Sequence, residues 1–121
     1  MTPSQKQRVE SLIAKQLTMS QSTLEAMRRS GLRQDQEVQL DFSFYAPNEK
    51  AARSLEAYLK QNDCLSVSVK RDGRLLSRKY VVEGKTHPTL VNTEVLSQWL
   101  PWIIVQGITS DCEFDGFGAE I

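Results

Sequence analysis

Apolar residues near the start of the chain recur at helical spacing, three or four positions apart. They continue as far as Gly31, a residue type that often ends helices. The pattern predicts one long helix or two short ones, with Ser20 or Ser22 capping the second. We expect this helical segment, within residues 1–34, to pack on the main domain through its apolar side. The apolar stripe consists of Val9, Leu12, Ile13, Leu17, Leu24 and Met27.

The period changes to two from residue 37, where apolar and polar positions alternate. Residues 38–45 therefore predict a strand that is buried on one face and polar on the other. Pro47 ends this strand, and Asn48 can cap a helix whose apolar stripe continues to Leu59. The apolar positions of the strand are Val38, Leu40, Phe42 and Phe44.

A β-hairpin is predicted next. Residues 65–70 alternate between apolar and polar, and Asp72 and Gly73 are a pair that two-residue turns favour. Residues 75–82 would supply the return strand. Residues 84–88 contain glycine and proline and predict a loop.

The last part of the chain predicts a helix and a closing strand. The helix begins at Asn92 or Thr93 and contains Pro101, which should bend it. The closing strand is interrupted at Gly116, where one extra residue in a bulge would keep the apolar side chains on both sides facing inward. These inward-facing residues are Cys112, Phe114, Phe117, Ala119 and Ile121.

The predicted elements after residue 36 follow the order β-α-β-β-α-β. With right-handed crossovers, this order is typical of the ferredoxin-like α+β fold, an antiparallel four-stranded sheet with two helices covering one face. The sequence thus predicts an N-terminal helical extension at residues 1–34 and a ferredoxin-like domain at residues 35–121. The other face of the sheet would present polar side chains, among them Asp41, Ser43 and Tyr45, to water or to a partner.

Length and composition are those of an ordinary soluble domain. The chain has 121 residues, of which 40% are hydrophobic and 25% are charged. It contains no apolar run of the roughly 20 residues that a membrane-spanning helix needs, and its polar N-terminus lacks the apolar core of a secretory signal. We therefore expect a cytoplasmic protein without membrane partners.

Charge is balanced overall but uneven along the chain. The formal net charge is zero, yet residues 1–33 hold six basic and two acidic side chains, and residues 111–121 hold four acidic and no basic ones. Zero net charge argues against general nucleic-acid binding, which depends on neutralising phosphates. A basic cluster on the hairpin keeps single-stranded RNA binding open as an alternative. Its members are Lys70, Arg71, Arg74, Arg78 and Lys79.

The sequence offers little for catalysis or metal binding. His87 is the only histidine, and no sequence feature brings it a nucleophile or an orienting carboxylate. Cys64 and Cys112 are interpreted as two buried thiols of a reducing compartment, and they cannot complete a usual zinc site. We expect no enzyme activity, no metal and no cofactor. A small-ligand site that uses Tyr45, Asp41 and His87 stays open as an alternative.

The closing strand, together with the strand at residues 38–45 and the helix at 48–59, resembles the RraB family, regulators of ribonuclease E activity. The most specific part is an aromatic-Asp-Gly-aromatic-Gly motif, here Phe114-Asp115-Gly116-Phe117-Gly118. The likeness covers roughly residues 35–121. It implies a ferredoxin-like α+β sandwich without catalysis, which binds the non-catalytic scaffold region of ribonuclease E and changes which RNAs are degraded.

The chain departs from the family in its charge. The best-known members are strongly acidic and carry an acid-rich tail, whereas this sequence is neutral and stops at Ile121. The resemblance therefore implies the fold more directly than the partner. We expect a protein partner that contacts the acidic closing strand through Glu113, Asp115 and Glu120. Trp102 is the expected apolar anchor, and homodimer formation stays open.

Overall fold

A computed structural model describes residues 2–62, 64–73 and 79–121, which form three helices and six strands in an α+β arrangement. Four strands form one antiparallel sheet in the order β3-β4-β2-β6, and β1 and β5 form a separate antiparallel pair. The helices are α1 (Pro3–Arg29), α2 (Glu49–Gln61) and α3 (Thr93–Thr109). The strands are β1 (Glu37–Val38), β2 (Asp41–Ala46), β3 (Ser66–Arg71), β4 (Tyr80–Lys85), β5 (Thr89–Leu90) and β6 (Glu113–Gly118).

The N-terminal apolar stripe forms one continuous helix, the first of the two predicted possibilities. Thr2 and Gln5 form a capping box at its start, where Pro3 occupies a position that needs no backbone donor. Ser20 does not cap a second helix. It lies buried within α1, and its hydroxyl donates to the Leu17 carbonyl at 2.7 Å. The helix packs against α3 of the same chain, and its apolar residues join the common core.

Asparagine caps begin both of the other helices. Asn48 Oδ1 accepts a hydrogen bond from the Ala51 N–H at 2.8 Å, which confirms the predicted start of α2. Asn92 Oδ1 accepts one from the Val95 N–H at 2.8 Å at the start of α3. The second and third helices connect β2 to β3 and β4 to β6, so each joins two strands that are not neighbours in the sheet.

Five aromatic rings form the centre of the core between α3 and the sheet. Trp99 of α3 meets the rings of Phe42, Phe114 and Phe117 at centroid distances of 6.1, 6.3 and 5.6 Å, each in an edge-to-face arrangement. Phe44 completes the cluster at 5.3 Å from Phe114. These contacts fix α3 over β2 and β6.

The closing strand contains the predicted bulge. Phe44 lies opposite Phe114 and Ser43 lies opposite Gly116, so Asp115 is the extra residue with no counterpart on β2. The prediction for Ile121 was wrong, because pairing ends at Gly118 and the Ile121 side chain is 43% exposed.

Two further predicted boundaries differ from the structure. The strand predicted over residues 38–45 is divided, because Val38 pairs with Thr89 in the small sheet. The predicted loop at residues 84–88 begins later, since Lys85 still belongs to β4. In the small sheet, pairing between distant segments overrides the local alternation, and this pairing cannot be read from one strand alone.

The hairpin is present, but its predicted two-residue turn was wrong. The Asp72 N–H donates to the Lys79 carbonyl at 2.9 Å, so Asp72 pairs with Lys79 and does not form a two-residue turn with Gly73. Part of the predicted return strand, residues 75–78, lies outside the described residues.

Candidate functional site

The face of the large sheet opposite Phe42 and Phe44 carries polar side chains and is not covered by α2 or α3. Both helices pack on the other face, where these two phenylalanines are buried. The strand register brings polar residues of three strands into rows, with Asp41 beside Lys85 and Ser43 beside Glu83. We call this surface the open face. Its side chains are Asp41, Ser43, Tyr45, Ser66, Ser68, Lys70, Val81, Glu83, Lys85, Glu113 and Asp115.

A shallow depression of about 600 Å³ occupies the middle of the open face. The depression exists because serine and glycine residues, which have small side chains or none, occupy adjacent positions on neighbouring strands. Charged side chains form its rim. The depression is lined by Asp41, Phe42, Ser43, Ser66, Ser68, Glu83, Gly84, Lys85, Asp115, Gly116, Phe117 and Gly118.

Both lysines of the open face are occupied by carboxylates of the same face. Lys85 Nζ lies 3.3 Å from Asp41 Oδ1, and Lys70 Nζ lies 3.0 Å from Glu83 Oε2. These side chains are substantially exposed, so each pair contributes well under about 1 kcal/mol to stability. The pairs nevertheless cancel charge locally.

Two carboxylates of β6 are not paired with any cation of the described residues. Asp115 accepts only a long hydrogen bond from the Ser43 hydroxyl, at 3.4 Å. Neither Asp115 nor Glu113 forms an ion pair with any other described residue, and both are exposed. The open face therefore carries a net negative charge that is concentrated on its β6 side.

A second depression, of about 350 Å³, extends the open face toward the small sheet. It shares Asp41 and Lys85 with the central depression and also contains Glu37 and Glu120. The two depressions thus place Glu120, a predicted contact residue, on the same side of the molecule as Asp115.

The four predicted contact residues do not form one site. Glu113 lies on the β6 side of the open face and also lines a cavity of about 470 Å³ with Arg8 of α1. Trp102 is 36% exposed, as expected for a rim tryptophan, but it belongs to α3 on the covered side of the sheet. The structure therefore separates the tryptophan from the acidic residues.

The two alternative sites are only partly assembled. Of the three residues proposed for a small-ligand site, Asp41 lines the central depression, whereas Tyr45 and His87 are exposed outside it. In the basic hairpin, Lys70 is paired with Glu83, and the predicted members Arg74 and Arg78 lie outside the described residues.

The described residues hold no group of histidine, cysteine and carboxylate side chains that could bind a metal ion.

Both cysteines are present as thiols. Burial, with a smaller effect of the neighbouring Asp111 carboxylate, raises the pKa of Cys112 to about 11, so the thiol stays protonated at neutral pH. None of the helices formed by the described residues has the length and apolar character that crossing a membrane requires.

Glu83 and Lys85 are the site residues that the sequence pattern did not reveal. The predicted return strand ends at residue 82 and the predicted loop covers residues 84–88, so the sequence pattern assigns neither side chain to a sheet face. The alternation of Tyr80, Val82 and Gly84 on one face with Val81, Glu83 and Lys85 on the other is the signal that identifies them, although a glycine at the third apolar position weakens it.

No protein-family model matches the chain, and no curated protein matches it either. The resemblance to the RraB family therefore rests on the closing-strand motif and on the pattern of the elements.

Proposed function

We propose that the chain is a non-catalytic regulator that binds a basic segment of a protein partner on the β6 side of the open face. The partner implied by the resemblance is the scaffold region of ribonuclease E, and the consequence would be altered RNA degradation in the cytoplasm. The observation that carries the proposal is the pair of carboxylates Glu113 and Asp115, which no described cation neutralises, on a sheet face that α2 and α3 leave uncovered.

The connectivity of the sheet supports the fold that the resemblance implies. We infer a ferredoxin-like layout because α2 and α3 each connect strands that have one other strand between them, as in paired split β-α-β units. In this layout the bulge of β6 lies at the sheet edge. It brings Asp115 outward while Phe114 and Phe117 stay on the covered side.

Charge supports a basic segment as the ligand of this surface. Lys70 and Lys85 are engaged by Glu83 and Asp41, so an incoming arginine or lysine meets no unpaired cation on the described part of the open face. Electrostatic attraction of this kind raises the association rate and depends on salt. Binding should therefore weaken between low and physiological ionic strength.

The test is a titration of the purified ribonuclease E scaffold region against two double variants. Neutralising Glu113→Gln with Asp115→Asn should weaken binding about tenfold at low salt, since each charge contributes roughly 0.5–1 kcal/mol. Glu10→Gln with Glu25→Gln removes the same charge from exposed positions of α1 and serves as the control. The proposal fails if the wild type does not bind at low salt, or if both double variants bind equally weakly.

A small-ligand site is the second candidate, because the central depression has the volume of a typical ligand pocket. Its lining is mainly hydroxyl and charged groups, so the ligand would be polar. Amide resonances of Ser43, Ser66 and Glu83 should shift together when such a ligand binds. The same amides should stay unchanged with a partner that contacts only Glu113 and Asp115.

A further inference from the structure

β3 is one of the two edge strands of the large sheet, and no described strand lies along its outer edge. Within the described chain β3 pairs only with β4, in an unbroken register over its six residues. Hydrogen-bonded and non-hydrogen-bonded pairs alternate along two antiparallel strands, and the Asp72 N–H donates to the Lys79 carbonyl. The even-numbered residues of β3 are therefore the ones whose backbone groups bond to β4. The N–H and C=O groups of the odd-numbered residues, Val67, Val69 and Arg71, therefore point away from the sheet.

The opposite edge of the sheet is formed by β6, which is protected against the addition of another strand. β6 contains a bulge and two glycines, and α1 runs beside it closely enough for both elements to line shared cavities. Such features discourage the addition of another strand. β3 has no proline, glycine or bulge, and its only charged residues are the last two, Lys70 and Arg71.

We propose that two copies of this chain associate through antiparallel pairing of their β3 strands about a two-fold axis at Ser68, which joins the two sheets into one of eight strands. In this register Val67 of each copy lies opposite Val69 of the other on the covered face. Ser68 lies opposite its own counterpart, and Ser66 lies opposite Lys70, on the open face. The outward backbone groups of Val67 and Val69 then form four hydrogen bonds across the axis.

The distribution of charge favours a second copy over an unrelated strand. The two Lys70 side chains stand four positions apart along the pairing, about 13 Å at 3.3 Å per residue, which exceeds the Debye length of about 8 Å at physiological salt. No cation faces another cation directly. The chain has zero net charge, so two copies approach without long-range repulsion.

Disulfide trapping tests both the partner and the register. Ser68→Cys places two thiols at a non-hydrogen-bonded pair with Cα atoms about 4.5 Å apart, which a disulfide can bridge. Ser66→Cys is the matched control, because this exposed serine lies on the same strand and face but about 13 Å from its counterpart. Diamide serves as the oxidant and takes up the two electrons and two protons that the thiols release.

The expected result is a covalent species of twice the 13.7 kDa chain mass for Ser68→Cys, with the control variant and the wild type monomeric on the same non-reducing gel. Sedimentation equilibrium provides a second measurement, in which the wild type should show a concentration-dependent dimer. Val69→Pro removes an outward N–H without removing a bond to β4 and should lower the dimer fraction at least tenfold. Equal cross-linking of both cysteine variants, or a monomeric wild type at about 100 μM, would overturn the proposal. These outcomes do not depend on the protein partner proposed above.

Discussion

The ring of Phe42 lies in the space that a side chain at Gly84 would occupy. The two residues face each other across β2 and β4, and a Cβ atom on Gly84 would stand 2.8 Å from Phe42 Cε2. In this position Phe42 makes edge-to-face contacts with Phe44 and Trp99, at centroid distances of 5.9 and 6.1 Å. The missing side chain thus allows an aromatic ring to connect the sheet with α3.

Gly84→Ala should destabilise the protein by about 1–3 kcal/mol, because the added methyl group displaces the Phe42 ring from a closely packed core. The free energy of unfolding in urea measures this effect. Gly118→Ala is the control, since its Cβ would meet nothing within 4 Å, and it should change stability by no more than about 0.5 kcal/mol.

The coupling between the two residues can be measured separately. In a Phe42→Leu background the ring is absent, so Gly84→Ala should have a smaller effect than in the wild type. An equal loss of stability in both backgrounds would show that the glycine matters for some reason other than the ring.

Leu24→Ala tests whether α1 is an integral part of the core. Leu24 is 1% exposed and belongs to the same hydrophobic cluster as the residues of α3, so the truncation should lower the free energy of unfolding by about 2–5 kcal/mol. Met19→Ala changes a residue of the same helix that is 49% exposed, and it should have little effect. A small effect at Leu24 would mean that α1 detaches readily from α3 in solution.

Local signals explain which elements were predictable from the sequence. The caps at Asn48 and Asn92 depend on contacts within four residues, and both appear where the pattern placed them. The bulge was also predictable, because keeping Phe114 and Phe117 on one face requires an extra residue between them, although the sequence placed this residue at Gly116 and the structure has it at Asp115.

The features that escaped prediction depend on contacts between distant segments. The predicted strand is divided after Val38 because Val38 pairs with Thr89 in the small sheet. Between the two parts of the predicted strand, the Leu40 N–H donates to Thr86 Oγ1 at 2.9 Å. The separation of Trp102 from Glu113 likewise follows from the side of the sheet on which α3 packs. Periodicity within one segment carries no information on such pairings.

Cys112 should make stability fall at alkaline pH. Its pKa is raised to about 11 by burial and by Asp111, so between about pH 9 and 11 the unfolded chain loses this proton while the folded chain keeps it. The unfolded state then binds fewer protons, and the free energy of unfolding declines by up to about 1.4 kcal/mol per pH unit. The contribution of the protonated Cys112 thiol to the free energy of unfolding is fully present below pH 9 and is lost as the pH rises.

The difference between the wild type and Cys112→Ala isolates this effect, because the two proteins share every other titratable group. The variant should be less stable at pH 7, since it leaves a cavity, and its stability should fall less steeply above pH 9. Parallel pH profiles for the two proteins would show that the thiol ionises as readily in the folded as in the unfolded state.

Gly116→Val tests the bulge itself. Gly116 has a φ of 157°, a positive value that residues with a Cβ rarely adopt, and it lies where β6 accommodates the extra residue Asp115. Valine should therefore lower the free energy of unfolding by at least about 1 kcal/mol through backbone strain, since no neighbouring atom would meet its Cβ within 4 Å. Gly118→Val makes the same change two residues later, where there is equal space and no positive φ. If the two valine variants unfold at the same urea concentration, then the backbone at Gly116 is not constrained and the bulge does not require glycine.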